Sequence, residues 1–105
     1  MLLRNLFGCL LLAVAFSATA AEYEVAQKDK QFSVSHLKIK VGDTVNFVNF
    51  DPFFHNVFSL SDTKTFDLGS YPQGQGRKIT FNKPGVVEVE CAIHSQMKLA
   101  IEVTQ

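Results

Sequence analysis

An all-β sandwich is the fold class this sequence predicts, and three observations carry it. Short runs alternate apolar and polar residues, turn residues punctuate them at close intervals, and no segment sustains a helical period. Phe32 and Val34 alternate with Ser33 and Ser35, then Leu37, Ile39 and Val41 alternate with Lys38 and Lys40. The parity changes between Val34 and Leu37, which predicts a bend or bulge there. Val41-Gly42-Asp43-Thr44 reads as a tight turn into a strand from Val45 to Asn49, and Asp51-Pro52 breaks that strand. Residues 59–77 are polar and read as a loop with Gly69, Pro72, Gly74 and Gly76, in which Phe66 and Leu68 offer at most a short strand. Order returns from Lys78 to Phe81, and Asn82-Lys83-Pro84-Gly85 turns the chain into a strand from Val86 to Cys91.

The first twenty residues, MLLRNLFGCLLLAVAFSATA, have a different character. One positive charge at Arg4, an apolar stretch from Leu6 to Phe16 and the small-residue ending Ala18-Thr19-Ala20 make the layout of a secretory signal peptide. The apolar stretch is short for a transmembrane helix, so no membrane span is expected after cleavage. The expected organisation is therefore a signal peptide over residues 1–20 and one domain over residues 21–105, exported to the periplasm. A domain of about 85 residues buries only roughly 60–65% of the surface its unfolded chain exposes, so it gains from an additional tether. Of the two cysteines in the chain, Cys9 leaves with the signal and Cys91 has no partner for a disulfide. A metal that joins two segments would occupy that thiol and supply the tether.

Ten basic and ten acidic residues balance across the chain, without a basic stripe or a long charge run. Nothing in that charge pattern suggests nucleic acid.

The stretch VECAIHSQMKL concentrates the chemistry. Side chains alternate along a strand, so Val87, Val89 and Cys91 share a face opposite Glu88 and Glu90, and the carboxylates put that face inward. Met97, Leu99, Ile101 and Val103 share the inner face of the following strand, opposite Lys98 and Glu102. Cys91 closes one strand, Met97 opens the next and His94 lies in their connection, so thiolate, imidazole and thioether can converge at one end of the sandwich. An electron-transfer copper site uses two imidazoles, a thiolate and a long axial thioether. The second imidazole must come from elsewhere. His36 lies on a strand whose outer face carries lysines and reads as a solvated surface residue. His55 follows the strand break at Asp51-Pro52-Phe53-Phe54, where aromatics shield it from water, and is the better ligand candidate.

The run FSVSHLKIKVGDTVNFVNFDPFFHNV followed by CAIHSQM resembles the cupredoxins, the blue copper family of plastocyanin, pseudoazurin and amicyanin. The resemblance spans about Phe32 to Val103, and the short C-x2-H-x2-M loop is most similar to that of amicyanin. It implies a cupredoxin-like Greek-key β-sandwich holding one copper ion, with His55, Cys91 and His94 as ligands and Met97 as the axial ligand. Asn56 matches the family residue whose backbone N–H approaches the thiolate and whose side chain braces the ligand loop. It further implies a monomeric one-electron carrier, with a c-type cytochrome or a periplasmic dehydrogenase as redox partners. Two departures stand out: Val87 and Val89 occupy positions where the family often has aromatics, and the ligand loop contains no proline.

Other readings fit less well. A metal-free domain would make Cys91 and Met97 core residues and His94 a turn residue, which leaves their conjunction with His55 and the signal peptide unexplained. Structural zinc prefers thiolate and imidazole sets to a thioether. A cysteine enzyme would need a substrate cleft and an orienting set that so short a chain does not display, so no enzymatic activity is expected. A periplasmic copper carrier or chaperone would use the same residues without electron transfer. Such proteins usually carry extra methionines for handing on the metal, and beyond Met1 this chain has Met97 alone.

Overall fold

The computed structural model describes residues 19–105. The signal peptide expected over residues 1–20 therefore lies almost wholly outside the described residues. Among the described residues, nine strands form two sheets: β1 (Glu22–Lys28), β2 (Gln31–Phe32), β3 (His36–Lys40), β4 (Thr44–Asn49), β5 (His55–Ser61), β6 (Lys64–Tyr71), β7 (Gly76–Thr80), β8 (Gly85–Cys91) and β9 (Lys98–Thr104). One sheet has the order β2-β1-β4-β7 and the other β3-β9-β8-β5-β6. β1 runs parallel to β4 and β3 parallel to β9, while the other pairs are antiparallel. This is the all-β sandwich that the alternation predicts.

The alternation also assigns the faces correctly. Val87, Val89 and Cys91 of β8 meet Leu99, Ile101 and Val103 of β9 in the core, joined from the other sheet by Val25, Val45 and Phe47. Fully burying one aliphatic side chain of this kind contributes about 1.5–3 kcal/mol, so this face carries much of the stability. The parity break after Val34 is a bend, at Ser33 and Ser35, as expected, and not a bulge within one strand. Residues 33–35 carry the chain from β2 in one sheet to β3 in the other, so the inward side reverses.

Residues 59–77 correct the sequence reading. Far from being mostly loop, this region completes β5, forms all of β6 and begins β7. β5 and β6 make an antiparallel hairpin at the edge of the larger sheet, with a register shift between Asn56 and Phe58. An edge hairpin has an outer face in water, so Ser, Thr and Lys suffice there while Phe66 and Leu68 lean on the core. The polarity that looked like a loop is the solvent side of an edge.

Candidate metal centre

Two strands and one loop deliver the candidate ligands. His55 is the first residue of β5 and Cys91 the last of β8, and these strands pair with Val57 opposite Cys91. His94 lies on the connection from β8 to β9, whose return is closed by Met97 N–H donating to the His94 carbonyl at 3.1 Å. The three side chains converge: Nδ1 of His55 is 3.2 Å from Nδ1 of His94, and Cys91 Sγ is 3.6 Å and 3.8 Å from those two nitrogens. A point equidistant from the three atoms lies about 2 Å from each, close to the roughly 2.0–2.3 Å of imidazole and thiolate bonds to a first-row metal. Two imidazole nitrogens and a thiolate at that spacing fit copper.

The environments of the two histidines differ. His55 is fully buried, whereas His94 is partly exposed beside the exposed Ile93. Phe53 packs against both, with its ring centroid 5.3 Å from His55 and 5.4 Å from His94, and Lys30 Nζ lies 5.8 Å from the centre of the same ring. Burial first, then the neighbouring His55 and Lys30, push the His94 imidazole below its ordinary pKa. Met97 is buried at the start of β9, on the core face its alternation predicts. His36 is exposed and 3.8 Å from Glu102, away from this cluster, as its lysine-bearing strand indicates. Asn56 joins the two ligand-bearing segments through its backbone, its carbonyl accepting from Ala92 N–H at 2.9 Å. Among the described residues its side chain makes no hydrogen bond, so the brace that the resemblance implies is a main-chain one here.

Two residues of this site carried no weight in the sequence reading. Asn49 is buried at the end of β4, where its side chain donates to the carbonyls of Phe53 and Tyr71 at 2.9 Å and 3.0 Å and accepts from Asp51 N–H at 2.8 Å. It clamps the loop that precedes His55 against β6. Asp51 is 3% exposed, and its Oδ2 lies 2.7 Å from His55 Nε2. Its carboxylate also accepts the backbone N–H groups of Asp29 at 2.7 Å and Lys30 at 3.1 Å. Burial opposes its ionisation, but the hydrogen bonds from His55, Lys30 and Asp29 outweigh burial and hold the carboxyl below the usual range. The available signal was an Asp four residues before a His, beside an Asn positioned for an Asx turn. In the sequence, Asp51 beside Pro52 signals only a strand break.

Comparison with known proteins places these residues in context. The family described as "Copper binding proteins, plastocyanin/azurin family" matches residues 19–104. The methylamine utilization protein MauL of Methylorubrum extorquens is 30% identical over 94 residues, which cover 89% of this chain and 82% of that one. Among solved structures, a Cu-containing nitrite reductase from Thermus scotoductus is 31% identical at a TM-score of 0.75, covering 91% of this chain. This chain spans only 26% of that enzyme. A methionine-to-alanine variant of amicyanin in its Cu(I) form superposes at a TM-score of 0.72 over 88% of this chain and 87% of that one, a likeness of fold at 23% identity.

Proposed function

Because the chain belongs to the plastocyanin/azurin family of copper-binding proteins, we propose that it is a periplasmic type 1 copper protein that carries single electrons between redox partners. The observation that carries this reading is the convergence of His55 Nδ1, His94 Nδ1 and Cys91 Sγ at metal-binding spacing. These three residues would hold the copper, and the Met97 thioether would be its fourth donor. Bound copper supplies a one-electron couple between its +1 and +2 states. The protein's part is to keep the donors where both states accept them: His55 and Cys91 on paired strands, His94 on a short connection between strands. Two imidazoles, a thiolate and a thioether suit a redox copper site better than a zinc site.

The histidines divide the work. Buried His55 anchors the site from within, whereas partly exposed His94 packs against Phe53 next to Ile93, and Phe53, Phe54 and Ile93 are each at least 36% exposed. An apolar rim of this kind lets a partner approach His94 and exclude water with little desolvation of charge. The family and its relative in methylamine utilization favour a periplasmic dehydrogenase as donor and a c-type cytochrome as acceptor, with the carrier a monomer. Export follows from the signal peptide read at residues 1–20. The nitrite reductase is almost four times the length of the region it shares with this chain, and its catalysis does not transfer to so small a part.

Titration of the purified protein with Cu(II), followed by reduction and reoxidation, tests the proposal by visible absorption. The expected result is an intense blue band that saturates at one copper per chain, bleaches on reduction and returns on reoxidation. A pale spectrum, or binding of Cu(I) alone, would overturn electron transfer in favour of copper delivery.

A further inference from the structure

Asp51 does more than end a strand. Its Oδ2 lies 2.7 Å from Nε2 of His55, and both residues are buried. An ionised carboxylate only accepts hydrogen bonds, so the proton between them belongs to Nε2 of the imidazole. In the neutral ring, a proton on Nε2 leaves Nδ1 with a lone pair, and that atom faces Cys91 and His94. The same carboxylate caps the turn between β1 and β2, where Asp29 and Lys30 adopt the left-handed conformation at φ of 55° and 59°. The turn in turn fixes the carboxylate: the Asp29 N–H holds Oδ1, and the Lys30 N–H holds the same Oδ2 that meets the histidine.

From this geometry we infer that Asp51 is a positioning residue for the copper site: it locks His55 in the tautomer that binds metal through Nδ1 and lowers the reduction potential by strengthening that nitrogen as a donor. The inference rests on the copper-carrier reading of the site. A carboxylate behind a ligating imidazole fixes the ring's tautomer and raises its basicity, and a fixed negative charge near the metal favours the more positive oxidation state. The turn at Asp29 and Lys30 shares the same carboxylate. Changes in that turn therefore reach the metal through Asp51 without touching a ligand.

Nitrogen-15 NMR of the metal-free protein, together with the reduction potential of the copper-loaded protein, tests this in the wild type, Asp51→Asn and Asp51→Glu. In the wild type the neutral His55 ring should carry its proton on Nε2. Asp51→Asn should raise the reduction potential and loosen the tautomer preference, and Asp51→Glu, which restores the charge, should return the potential toward the wild-type value. A wild-type His55 protonated on Nδ1 would overturn the inference even if no variant folds. So would an unchanged potential in a folded, copper-loaded Asp51→Asn protein. A wild type that binds no copper as a blue centre would instead refute the function proposed above, while the tautomer measurement on the metal-free protein would stand as a separate result.

Discussion

β4 has a buried aspartate beside each end, and the two behave alike up to a point. Asp43, just before the strand, accepts the backbone N–H groups of Ala21 at 2.8 Å and Lys40 at 2.9 Å. Asp51, just after it, accepts those of Asp29 and Lys30. Both carboxylates satisfy main-chain donors that neighbouring turns leave without strand partners, which accounts for two acids in a small domain's interior. The difference is the additional partner. Asp43 serves backbone alone, whereas Asp51 also holds a histidine of the metal centre. One device thus serves structure at one end of β4, and structure together with chemistry at the other.

The strongest test of that contrast is at the site end itself. Cys91→Ser should abolish the intense blue absorption completely while circular dichroism still reports a β-fold, and a variant that stayed intensely blue would refute the ligand assignment. Next comes the core shared by both ends. Ile101→Ala, at a fully buried position of β9, should cost about 2–5 kcal/mol by chemical denaturation, and it should leave the position of the blue band unchanged. Retention of full stability there would mean that β9 contributes less to the core than its burial indicates.

A smaller effect belongs to the far end. Hydrogen bonds from Ala21 and Lys40 hold the Asp43 carboxyl below its usual value of 3.8, despite the opposing pull of burial. Its ionised form therefore stabilises the fold above that pH, and the contribution is lost as the pH falls further, through the lowered value in the folded protein. Asp43→Asn should lower the melting temperature at neutral pH by several degrees and flatten the acid side of the stability profile, with no change in the visible spectrum. A spectral shift would show that the two ends are coupled and would blur the contrast. The least effect is expected from His36→Ala, which should leave the colour intact and change stability by no more than about 0.5 kcal/mol, as is usual for exposed positions. Loss of colour would mean that the wrong second histidine had been assigned.

What the sequence made legible follows a physical divide. Alternation placed Val87, Val89 and Cys91 on one inner face and Met97, Leu99, Ile101 and Val103 on another, because burial on one side of a strand imposes a period of two. The close spacing of Cys91, His94 and Met97 made the candidate ligand loop visible as a local pattern. The β5–β6 hairpin was hidden because an edge strand needs few apolar residues, and its polar face imitates a loop. Asn49 and Asp51 were hidden for another reason. Their roles lie in hydrogen bonds to residues up to 22 positions away, at Asp29 and Tyr71, and no local pattern in the sequence registers such contacts.

The link between Ala21 and Asp43 has a bearing on biogenesis. In the full-length chain the donor at Ala21 is a neutral peptide N–H. Removal of a signal peptide after Ala20 would turn that same nitrogen into a free ammonium group, and the neutral contact into a charge-assisted one at the start of β1. The precursor would then be the weaker folder of the two. Cleavage at that bond would thus tighten the fold through an acid already in place for the new amine.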